Sequence, residues 1–450
     1  MISPDSSIII VGGGVFGLST ALWLARGGYK NITIFDRCAF DKTFYDPSNG
    51  CDGASADINK VFRMAYREKL DYQDMAIECR DIWLSWNKAI AESDPSNLPP
   101  APESRKMQFV KVRYLERRTA RRQNWLISHR AILKMKSVCA RLIRTNGFID
   151  INAGITIADK ACVYARHLCV QAGVNFVLGE HGKLQHLVVD NQGAKKRVIG
   201  IKTCDGKTHF ADLVIVAAGS WSASVIPEAR RTVEATAGVV MFIDIPKERQ
   251  DVRRRFHPDN YPVWSYRRGT GDDYYQGGSF PISRDGRMKF GFRGRKNRNS
   301  TDKTRRISTP RTKYSNDPID TVPLYALSRM KKVIAQGFPE LVEFGFTDSR
   351  LCWYTDSIDN EYVIDDVPGY SDSLFICTGG SGHAFKFLPI LGRHVKTQLE
   401  RIPDQFTTAW NWRVAEEGKD NNGLSEGEEG HRVLAKVEMA TRADFKFSQD

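Results

Sequence analysis

The sequence lacks any run of about 18 or more apolar residues, so it predicts no membrane-spanning helix. It has no CxxC pair, and its nine scattered cysteines are typical of reduced intracellular thiols rather than of disulfides or a zinc site. A strand is predicted from Ile8, which leaves no room for a cleavable signal peptide. The final residues are not an SKL-type peroxisomal address. We therefore expect a cytoplasmic protein with no membrane contact and no metal site.

The chain has the composition of an ordinary globular protein. Of its 450 residues, 41% are hydrophobic and 26% are charged. At roughly 150 residues per domain, this length predicts a sizeable core and more than one domain.

The net charge of +13 is concentrated in two segments, residues 104–146 and 293–313. Clustered Lys and Arg can bind nucleic acid phosphates, but such runs are more often solvated faces or loops. The first segment also contains apolar residues, which favours a basic helical surface, and it has neither a nucleic-acid recognition motif nor interleaved stacking aromatics. We expect no nucleic-acid partner, although an enzyme acting on nucleic acid through residues 104–146 remains an alternative.

The first 36 residues predict a dinucleotide-binding βαβ unit. The apolar run Ile8–Val11 is typical of a buried parallel strand, and it leads into the sequence GGGVFG at positions 12–17. A helix that closes at Gly27-Gly28 follows, and then a second strand, Ile32–Phe35. The three motif glycines permit a tight turn, close approach of a pyrophosphate and close packing of helix on strand.

Asp36 ends the second strand, where an acidic side chain accepts hydrogen bonds from the adenosine ribose. An acid at this position argues against NADP. By itself it does not separate FAD from NAD.

The rest of the chain predicts that this domain is assembled from distant pieces. A meander of short strands is expected at 176–178, 184–189, 198–203 and 213–217, and the last strand runs into Ala218-Gly219-Ser220-Trp221. A strand at Leu374–Cys377 leads to Gly379-Gly380-Ser381-Gly382 and a helical stretch from His383. Other sequence is inserted between these pieces.

The chain resembles the D-amino-acid-oxidase-like flavoproteins, including monomeric sarcosine oxidase, the fungal fructosyl amino acid oxidases (amadoriases) and the saccharopine and pipecolate oxidases. The resemblance is carried by GGGVFG (12–17) with Asp36, ASADINKVFR (54–63), RMKFG (287–291), and LCWYT (351–355) continuing through GGSGHAFKF (379–387). It implies an α/β fold, α+β overall, with a Rossmann-like FAD-binding domain and an inserted β-sheet substrate domain. The implied division is FAD-binding domain 1–60, 151–230 and 351–410, substrate domain 61–150 and 231–350, and a C-terminal tail 411–450 whose polar part, 416–430, is expected to be flexible.

The resemblance implies FAD as the cofactor, bound covalently through the sulfur of Cys352 to the flavin 8α carbon. Without it, a single cysteine is more often a buried apolar residue, as we expect for Cys377. The residues implied to contact FAD are Gly12, Gly14, Val15, Phe16, Gly17, Asp36, Arg37, Ser55, Asn59, Lys60, Ala218, Gly219, Trp221, Cys352, Gly380, Gly382, His383 and Lys386.

Two lysines are implied to be catalytic. Lys289 matches the lysine that promotes reaction with O2, because a fixed cation stabilises the charge of developing superoxide. On composition alone, a surface lysine in a basic strand would be favoured. Lys60 matches a lysine near flavin N5 in amadoriases, where sarcosine oxidases have Arg.

Lys386 and Arg63 are implied to bind the substrate carboxylate. Arg63 could equally form an interior ion pair with an acid such as Glu68. His383 is expected to shape the glycine turn rather than to act as a base. Trp353 and Tyr354 could line the pocket, although aromatic residues on a strand are more often core.

The resemblance implies an oxidase of a secondary-amine amino acid, with hydride transfer to flavin N5, an imine product and H2O2 from O2. Ser55 and the segment Ser357-Ile358-Asp359 depart from the amadoriase pattern, which puts a fructosyl substrate in doubt. If Lys289 is misplaced, a dehydrogenase with another electron acceptor is the alternative. The expected partners are a small amino-acid substrate and O2, and the expected state is a monomer.

Overall fold

A computed structural model describes residues 2–66, 68–99, 109–111, 114–117, 147–150, 152–192, 196–269, 274–302, 307–416 and 432–447. Its strands are β1 (Ser7–Val11), β2 (Asn31–Asp36), β3 (Lys60–Phe62), β4 (Phe109–Lys111), β5 (Tyr114–Arg117), β6 (Gly147–Asp150), β7 (Gly154–Thr156), β8 (Asn175–Leu178), β9 (Leu184–Asp190), β10 (Arg197–Thr203), β11 (Thr208–Phe210), β12 (Leu213–Val216), β13 (Val233–Asp244), β14 (Val263–Arg268), β15 (Tyr275–Ser279), β16 (Arg287–Asn297), β17 (Ser300–Asp302), β18 (Ile307–Ser308), β19 (Asp348–Ser357), β20 (Val363–Asp366) and β21 (Leu374–Thr378). Its helices are α1 (Val15–Arg26), α2 (Phe40–Thr43), α3 (Leu70–Glu92), α4 (Ala158–Gln171), α5 (Ser222–Val225), α6 (Gln250–Arg255), α7 (Leu324–Gly337) and α8 (Leu391–Leu399). None of these helices is long and apolar enough to cross a membrane.

A six-stranded sheet of order β20-β21-β12-β1-β2-β8 forms the first layer, and only β20 is antiparallel to its neighbour. The side chains of β1 alternate between two apolar clusters: Ile8 and Ile10 pack on one face, and Ile9 and Val11 on the other. Because both faces are covered, the strand is apolar throughout rather than alternating. The predicted βαβ unit is therefore confirmed.

Helices cover one face of this sheet. Helix α1 packs against α8 and α4, and the first of these contacts is very close, because a Cβ at Gly392 would lie 1.9 Å from the carbonyl oxygen of Ser19. The hydroxyl of Ser19 accepts a hydrogen bond from the Gly392 backbone N–H at 2.7 Å. The N-terminal and C-terminal parts of the chain thus share one core.

The predicted four-strand meander is wrong in its pairing. Strand β8 joins the parallel sheet beside β2, whereas β10 pairs with β9 and with β11, a strand that was not predicted, in a separate antiparallel sheet. An apolar run indicates that a strand forms but not which neighbour it pairs with, and β8 is only four residues long.

A seven-stranded sheet of order β19-β13-β16-β15-β14-β5-β6 forms the second layer. One of its faces packs against α7, with Met330 and Ile334 beside Phe290 and Trp264. The other face carries the small apolar cluster around Cys352 and turns towards the first layer. A parallel sheet with helices beside a mainly antiparallel sheet agrees with the predicted fold class.

Two further expectations change. The helical stretch from His383 is a turn followed by a short 3-10 helix, Phe385–Phe387, before α8 begins at Leu391. The second basic segment is not simply a solvated face, since Lys296 in β16 forms an ion pair with the buried Asp356.

The first basic segment is described only at β4 and β5, where it is strand rather than the expected helix. The remainder of 104–146, and residues 417–430 of the tail, lie outside the described residues.

Candidate functional site

A cavity of about 1440 Å³ lies between the two large sheets. Its walls include the carboxyl ends of β1, β2 and β12 and one face of β13, β16 and β19. The carboxyl edge of a parallel sheet is where α/β folds bind nucleotides. The volume exceeds the roughly 300–1,000 Å³ of an ordinary small-molecule pocket, which favours a large ligand together with a second, smaller one.

The loop Gly12–Gly17 forms one end of the cavity. Gly12 has a φ of +112°, and a Cβ on it would lie 2.4 Å from the carbonyl oxygen of Ala217. A Cβ on Gly17 would lie 1.8 Å from the carbonyl oxygen of Gly12. Gly17 does not line the cavity. Its lack of a side chain lets α1 pack closely against the loop.

Asp36 closes this loop from β2. One carboxylate oxygen accepts the backbone N–H of Gly13 at 2.7 Å and the other accepts that of Cys38 at 2.8 Å. An ionised carboxylate has about four lone-pair positions, so capacity remains on the cavity side for a ligand hydroxyl. Burial raises the pKa of Asp36, against the lowering effect of these two hydrogen bonds.

A platform beside Asp36 is built from the guanidinium of Arg37, which lies 4.4 Å from the ring centre of Trp221. Arg37 is held by an ion pair with Asp52, whose other oxygen accepts the Thr312 hydroxyl. Sequence positions 37 and 221 are therefore brought together at the cavity wall, as expected of two residues at one binding site.

Ser55 anchors the start of α1. Its hydroxyl oxygen accepts the backbone N–H of Val15 at 3.0 Å, and the same oxygen would lie 3.0 Å from a Cβ on Gly14. A glycine at position 55 could not supply this contact, so the departure from the amadoriase pattern has a local structural role.

A group of four charged residues, here called the Asp57 cluster, lies under the centre of the cavity. The carboxylate of Asp57 is 2.9 Å from the amine of Lys289, 2.7 Å from that of Lys60 and 3.2 Å from the guanidinium of Arg350. Burial alone would raise the pKa of Asp57, but the three cations hold it well below its usual value. One carboxylate thus fixes three cations.

Lys289 is buried, with 3% of its surface exposed, so the surface position that composition favoured is wrong. Besides the Asp57 contact, its amine donates to the carbonyl oxygen of Asn59 at 2.5 Å and lies 4.3 Å from the ring centre of Phe280. Burial lowers the pKa of Lys289 to about 8, although Asp57 opposes this shift. Asn59 itself lies behind the cavity wall.

Cys352 lines the cavity from β19, opposite Gly238 of β13. Its sulfur packs in a small apolar cluster with Val240 and Phe242. Tyr354 also lines the cavity, whereas Trp353 and Cys377 are core residues.

Lys386 reaches the other end of the cavity from the 3-10 helix that follows the glycine turn. Its amine donates to the hydroxyl of Tyr66 at 2.6 Å and to the carbonyl oxygen of His383 at 3.0 Å. Its own carbonyl oxygen accepts the indole N–H of Trp83 and the thiol of Cys79, both on α3. Both ends of the residue are therefore fixed.

His383 is the neutral member of this group. Its Nε2 lies 3.0 Å from the carbonyl oxygen of Asn360, which can only accept, so the proton is on Nε2 and Nδ1 accepts from Tyr66 or Tyr362. Burial, aided by Lys386, holds the pKa of His383 well below its usual value. These hydrogen bonds connect the glycine turn to Asn360 and to the two tyrosines.

No carboxylate among the described residues forms an ion pair with Lys386, although the side chain is only 2% exposed. Burial, and then the charge of Arg63, lower the pKa of Lys386 well below its usual value. A buried cation without an anion is costly, so this end of the cavity is complementary to an anion.

Most of the residues predicted to form the site share this one cavity. Those that line it are Gly12, Gly14, Val15, Phe16, Asp36, Arg37, Ser55, Lys60, Arg63, Ala218, Gly219, Trp221, Lys289, Cys352, Gly380, Gly382, His383 and Lys386. The structure adds residues for which the sequence suggested no role, namely Asp57, Tyr66, Arg293 and Arg350. No group of acidic, His and Cys side chains in the described part of the chain could hold a metal ion.

Comparison with known proteins identifies the family. Residues 7–397 match the family described as DAO, FAD dependent oxidoreductase. The chain is 26% identical over 442 residues to the L-saccharopine oxidase of Schizosaccharomyces pombe, covering 90% of this chain and 93% of that protein. It is 23% identical over 401 residues to the N-methyl-L-tryptophan oxidase of Salmonella heidelberg, covering 86% and 92%.

Solved structures show the same fold. The fructosamine oxidase (amadoriase II) of Aspergillus fumigatus superimposes with a TM-score of 0.74 at 23% identity, covering 100% of this chain and 99% of that one. The fructosyl peptide oxidase of E. terrenum also gives 0.74 at 23% identity, covering 98% and 100%. The resemblance and the fold class predicted from the sequence are therefore confirmed, and the chain belongs to the FAD-dependent oxidoreductase family.

Proposed function

We propose that this enzyme oxidises a secondary-amine amino acid at the C–H bond next to nitrogen, giving an imine, with O2 as electron acceptor and H2O2 as the second product. When bound, FAD accepts the hydride and passes its electrons to O2. The saccharopine, N-methyl-L-tryptophan and fructosyl amines named for the relatives share a substituted amine nitrogen. The observation that carries the proposal is the buried Lys386, which forms no ion pair with any carboxylate in the described part of the chain.

The residues at the other end of the cavity fit FAD. At Gly12 the loop leaves no room for a Cβ, which keeps the backbone bare for close approach of a pyrophosphate, and the N-terminus of α1 favours its charge. Asp36 would accept from the ribose hydroxyls, beside the platform of Arg37 and Trp221. The other residues predicted to contact FAD, including Ala218, Gly219 and Gly380, would complete this surface.

Lys386 and Arg63 would bind the substrate carboxylate and so orient the amine. The amine of Lys386 already has two donor–acceptor contacts, to Tyr66 and His383, which leaves one proton for the carboxylate. An anion at this position would restore the lowered pKa of Lys386. A carboxylate held in one orientation fixes which C–H bond faces the rest of the cavity.

The cations of the cavity would keep the substrate nitrogen uncharged. Lys60, Lys289 and Lys386 all line the cavity, and like charges disfavour an ammonium group. A neutral nitrogen has the lone pair that supports loss of hydride from the neighbouring carbon. Binding of the carboxylate and deprotonation of the amine therefore use the same positive field.

Lys289 would promote the reaction with O2. Its charge is desolvated and fixed by Asp57, and such a preorganised cation stabilises a developing superoxide. Lys60 would add to this field from its position in the Asp57 cluster.

Cys352 would bind the flavin covalently through a thioether. In its support, the side chain lines the cavity and its β13 neighbour is Gly238, at which a Cβ would crowd the ring of Tyr354. Acid-precipitated wild-type protein is expected to remain yellow, and Cys352→Ser protein to lose its colour. The exposed Cys204→Ser is the control and should stay yellow. Colour that leaves the wild-type pellet completely would refute the thioether.

The experiment that tests the oxidase proposal is a peroxide-release screen over N-substituted amino acids, each compared with its carboxamide. We expect peroxide from acids and little from amides, and Lys386→Met should reduce kcat/KM for the acids by about 10- to 100-fold. The control Lys88→Met changes an exposed lysine of α3 and should act as wild type.

Two outcomes would contradict this proposal. If acids and carboxamides react equally, Lys386 does not bind a carboxylate. If substrate bleaches the flavin without peroxide and an added dye is needed for turnover, the enzyme is a dehydrogenase.

The assignment of residues 1–60, 151–230 and 351–410 to the FAD-binding domain is also proposed. In its support, the six-stranded sheet draws its strands from these ranges. The monomeric state and the cytoplasmic location stay predictions.

A further inference from the structure

Arg293 is a further cation of the cavity wall, and the steps proposed above give it no role. It lies on β16, four residues after Lys289 and on the same face of the strand. Its guanidinium carbon is 4.8 Å from the ring centre of Tyr354. A Cβ on Gly382 would lie 2.5 Å from one of its terminal nitrogens, so the glycine turn is shaped around this side chain.

Arg293 forms no ion pair with a carboxylate among the described residues, and its buried Nε has no hydrogen-bond partner there. The nearby acid is Asp356, whose charge interacts with that of Arg293, but the two residues form no ion pair. Lys296 and the hydroxyl of Thr236 bind one oxygen of Asp356, and its other oxygen has no hydrogen-bond partner among the described residues. The protein therefore fixes the guanidinium between a ring and a turn at the cavity wall, without a direct carboxylate partner among the described residues. That arrangement fits an anionic group of the ligand.

The anion expected at Arg293 differs from the one proposed for Lys386. Arg293 reaches the glycine turn from the seven-stranded sheet and contacts Gly382, whereas Lys386 bonds to the carbonyl oxygen of His383 from the helix beyond the turn. Two cations thus approach one turn from different elements. A planar guanidinium is the group best suited to bind a carboxylate through two parallel hydrogen bonds.

From this geometry we propose that the N-substituent of the substrate itself carries a carboxylate, and that Arg293 binds it. The substrate class is then the N-(carboxyalkyl) amino acids, in which the reacting nitrogen joins two acid-bearing arms. This inference rests on the proposed amine oxidation and adds the identity of the second arm. Arg293 is a specificity-determining residue and takes no part in the bond changes.

The test compares matched substrates that differ in one carboxylate, N-(2-carboxyethyl)-L-alanine and N-propyl-L-alanine, by peroxide release. Wild-type enzyme should favour the first in kcat/KM. Arg293→Met should reduce that preference by about 10- to 100-fold, mainly through KM, which is the loss expected for one charge-assisted pair. Arg293→Lys should retain part of it. The control Arg295→Met changes a strand residue that lies against Tyr325 outside the cavity, and it should leave the preference unaltered.

A binding measurement separates failure of this inference from failure of the oxidase proposal. Glutarate and butyrate are titrated into the flavin-loaded enzyme and followed by its visible absorbance. Wild type should bind glutarate at least about tenfold more tightly, and Arg293→Met should bind both alike. Equal binding by wild type, or an equal loss of both substrates in Arg293→Met, would overturn the role of Arg293. Absence of peroxide from every amine, with glutarate still preferred, would overturn only the oxidase.

Discussion

At the scale of single residues, Lys289 combines burial with a positive charge held by one carboxylate. The side chain is almost completely enclosed, and Asp57, the Asn59 carbonyl and the Phe280 ring surround its amine. The sequence placed it in a basic strand where a solvent-exposed lysine would be the ordinary interpretation. Only the resemblance of the RMKFG segment indicated a buried position, because composition contains no information about which side of a strand faces a cavity.

The reaction with O2 should depend on pH through Lys289. Because its pKa is about 8, the amine is charged below pH 8 and neutral above it. We expect the rate at which the substrate-reduced enzyme reacts with O2 to fall as pH rises through 8, and to be low and flat in Lys289→Met. Stopped-flow reoxidation between pH 6.5 and 9.5 measures this, in steps of about half a unit.

Protein stability changes in the opposite direction over this range. The unfolded chain keeps the lysine proton up to its usual pKa of 10.5, so between about 8 and 10.5 it binds more protons than the folded chain. The contribution of Lys289 to the free energy of unfolding therefore rises with pH. For the kinetic prediction, a wild-type rate of reaction with O2 that did not change across pH 8 would contradict the role of Lys289.

Removing the charge of Asp57 should destabilise the protein strongly. Asp57→Asn leaves Lys60, Lys289 and Arg350 together without their shared anion, and breaking a buried ion pair costs about 3–5 kcal/mol. The free energy of unfolding in urea measures the loss. Asp251→Asn is the matched control, because its ion pair with Arg249 is exposed and the substitution should leave stability almost unchanged. Equal effects of the two substitutions would show that the Asp57 cluster is not a unit.

At the scale of elements, β16 shows that strand periodicity could have identified further residues of the site. Successive side chains of a strand point to opposite faces, so residues 289, 291 and 293 share one face. Lys289, Gly291 and Arg293 all line the cavity. With Lys289 assigned to the site, the same period could have predicted Arg293 beside it. Residues 350, 352 and 354 of β19 also share one face. Cys352 and Tyr354 line the cavity, and the same period could have placed Arg350 of the Asp57 cluster on their side of the strand.

The contact between α1 and the glycine loop can be tested with one methyl group. Gly17→Ala should lower the free energy of unfolding by about 1–3 kcal/mol, because the added Cβ would overlap the Gly12 carbonyl oxygen and the backbone must shift. Flavin content should fall with it. Gly53→Ala is the control for stability, since nothing lies within 4 Å of its Cβ position. Identical unfolding midpoints for both variants would refute the packing role of Gly17.

At the scale of the whole molecule, the sequence predicted the discontinuous domain but not all of its connections. Glycine segments after three apolar strands indicated that distant parts of the chain meet at one site, and β1, β12 and β21 are neighbours in the sheet. The placement of β8 and the burial of Lys296 against Asp356 were not predictable, because pairing partners and burial depend on contacts distant in sequence.

A chain that ends at Asp372 should not fold. It would lack β21, whose side chains are fully buried between β12 and β20, and α8, which covers α1. We expect this fragment in the insoluble fraction, or digested by protease under conditions in which a chain ending at Phe447 resists. A soluble, protease-resistant fragment with wild-type helix content would contradict the importance of the last strand.

The position of β21 in the sequence also determines when, during synthesis of the chain, the flavin site can form. The Gly12–Gly17 loop is made long before its wall at Gly380 and Gly382, because the two segments are far apart in the sequence. At about 5–20 residues per second, the nucleotide loop waits for tens of seconds before its partner strand leaves the ribosome. During that time the apolar β1 and β12 have no complete sheet to enter. The flavin site therefore cannot be complete, and no peroxide can be generated there, until Gly380 and Gly382 have been synthesised.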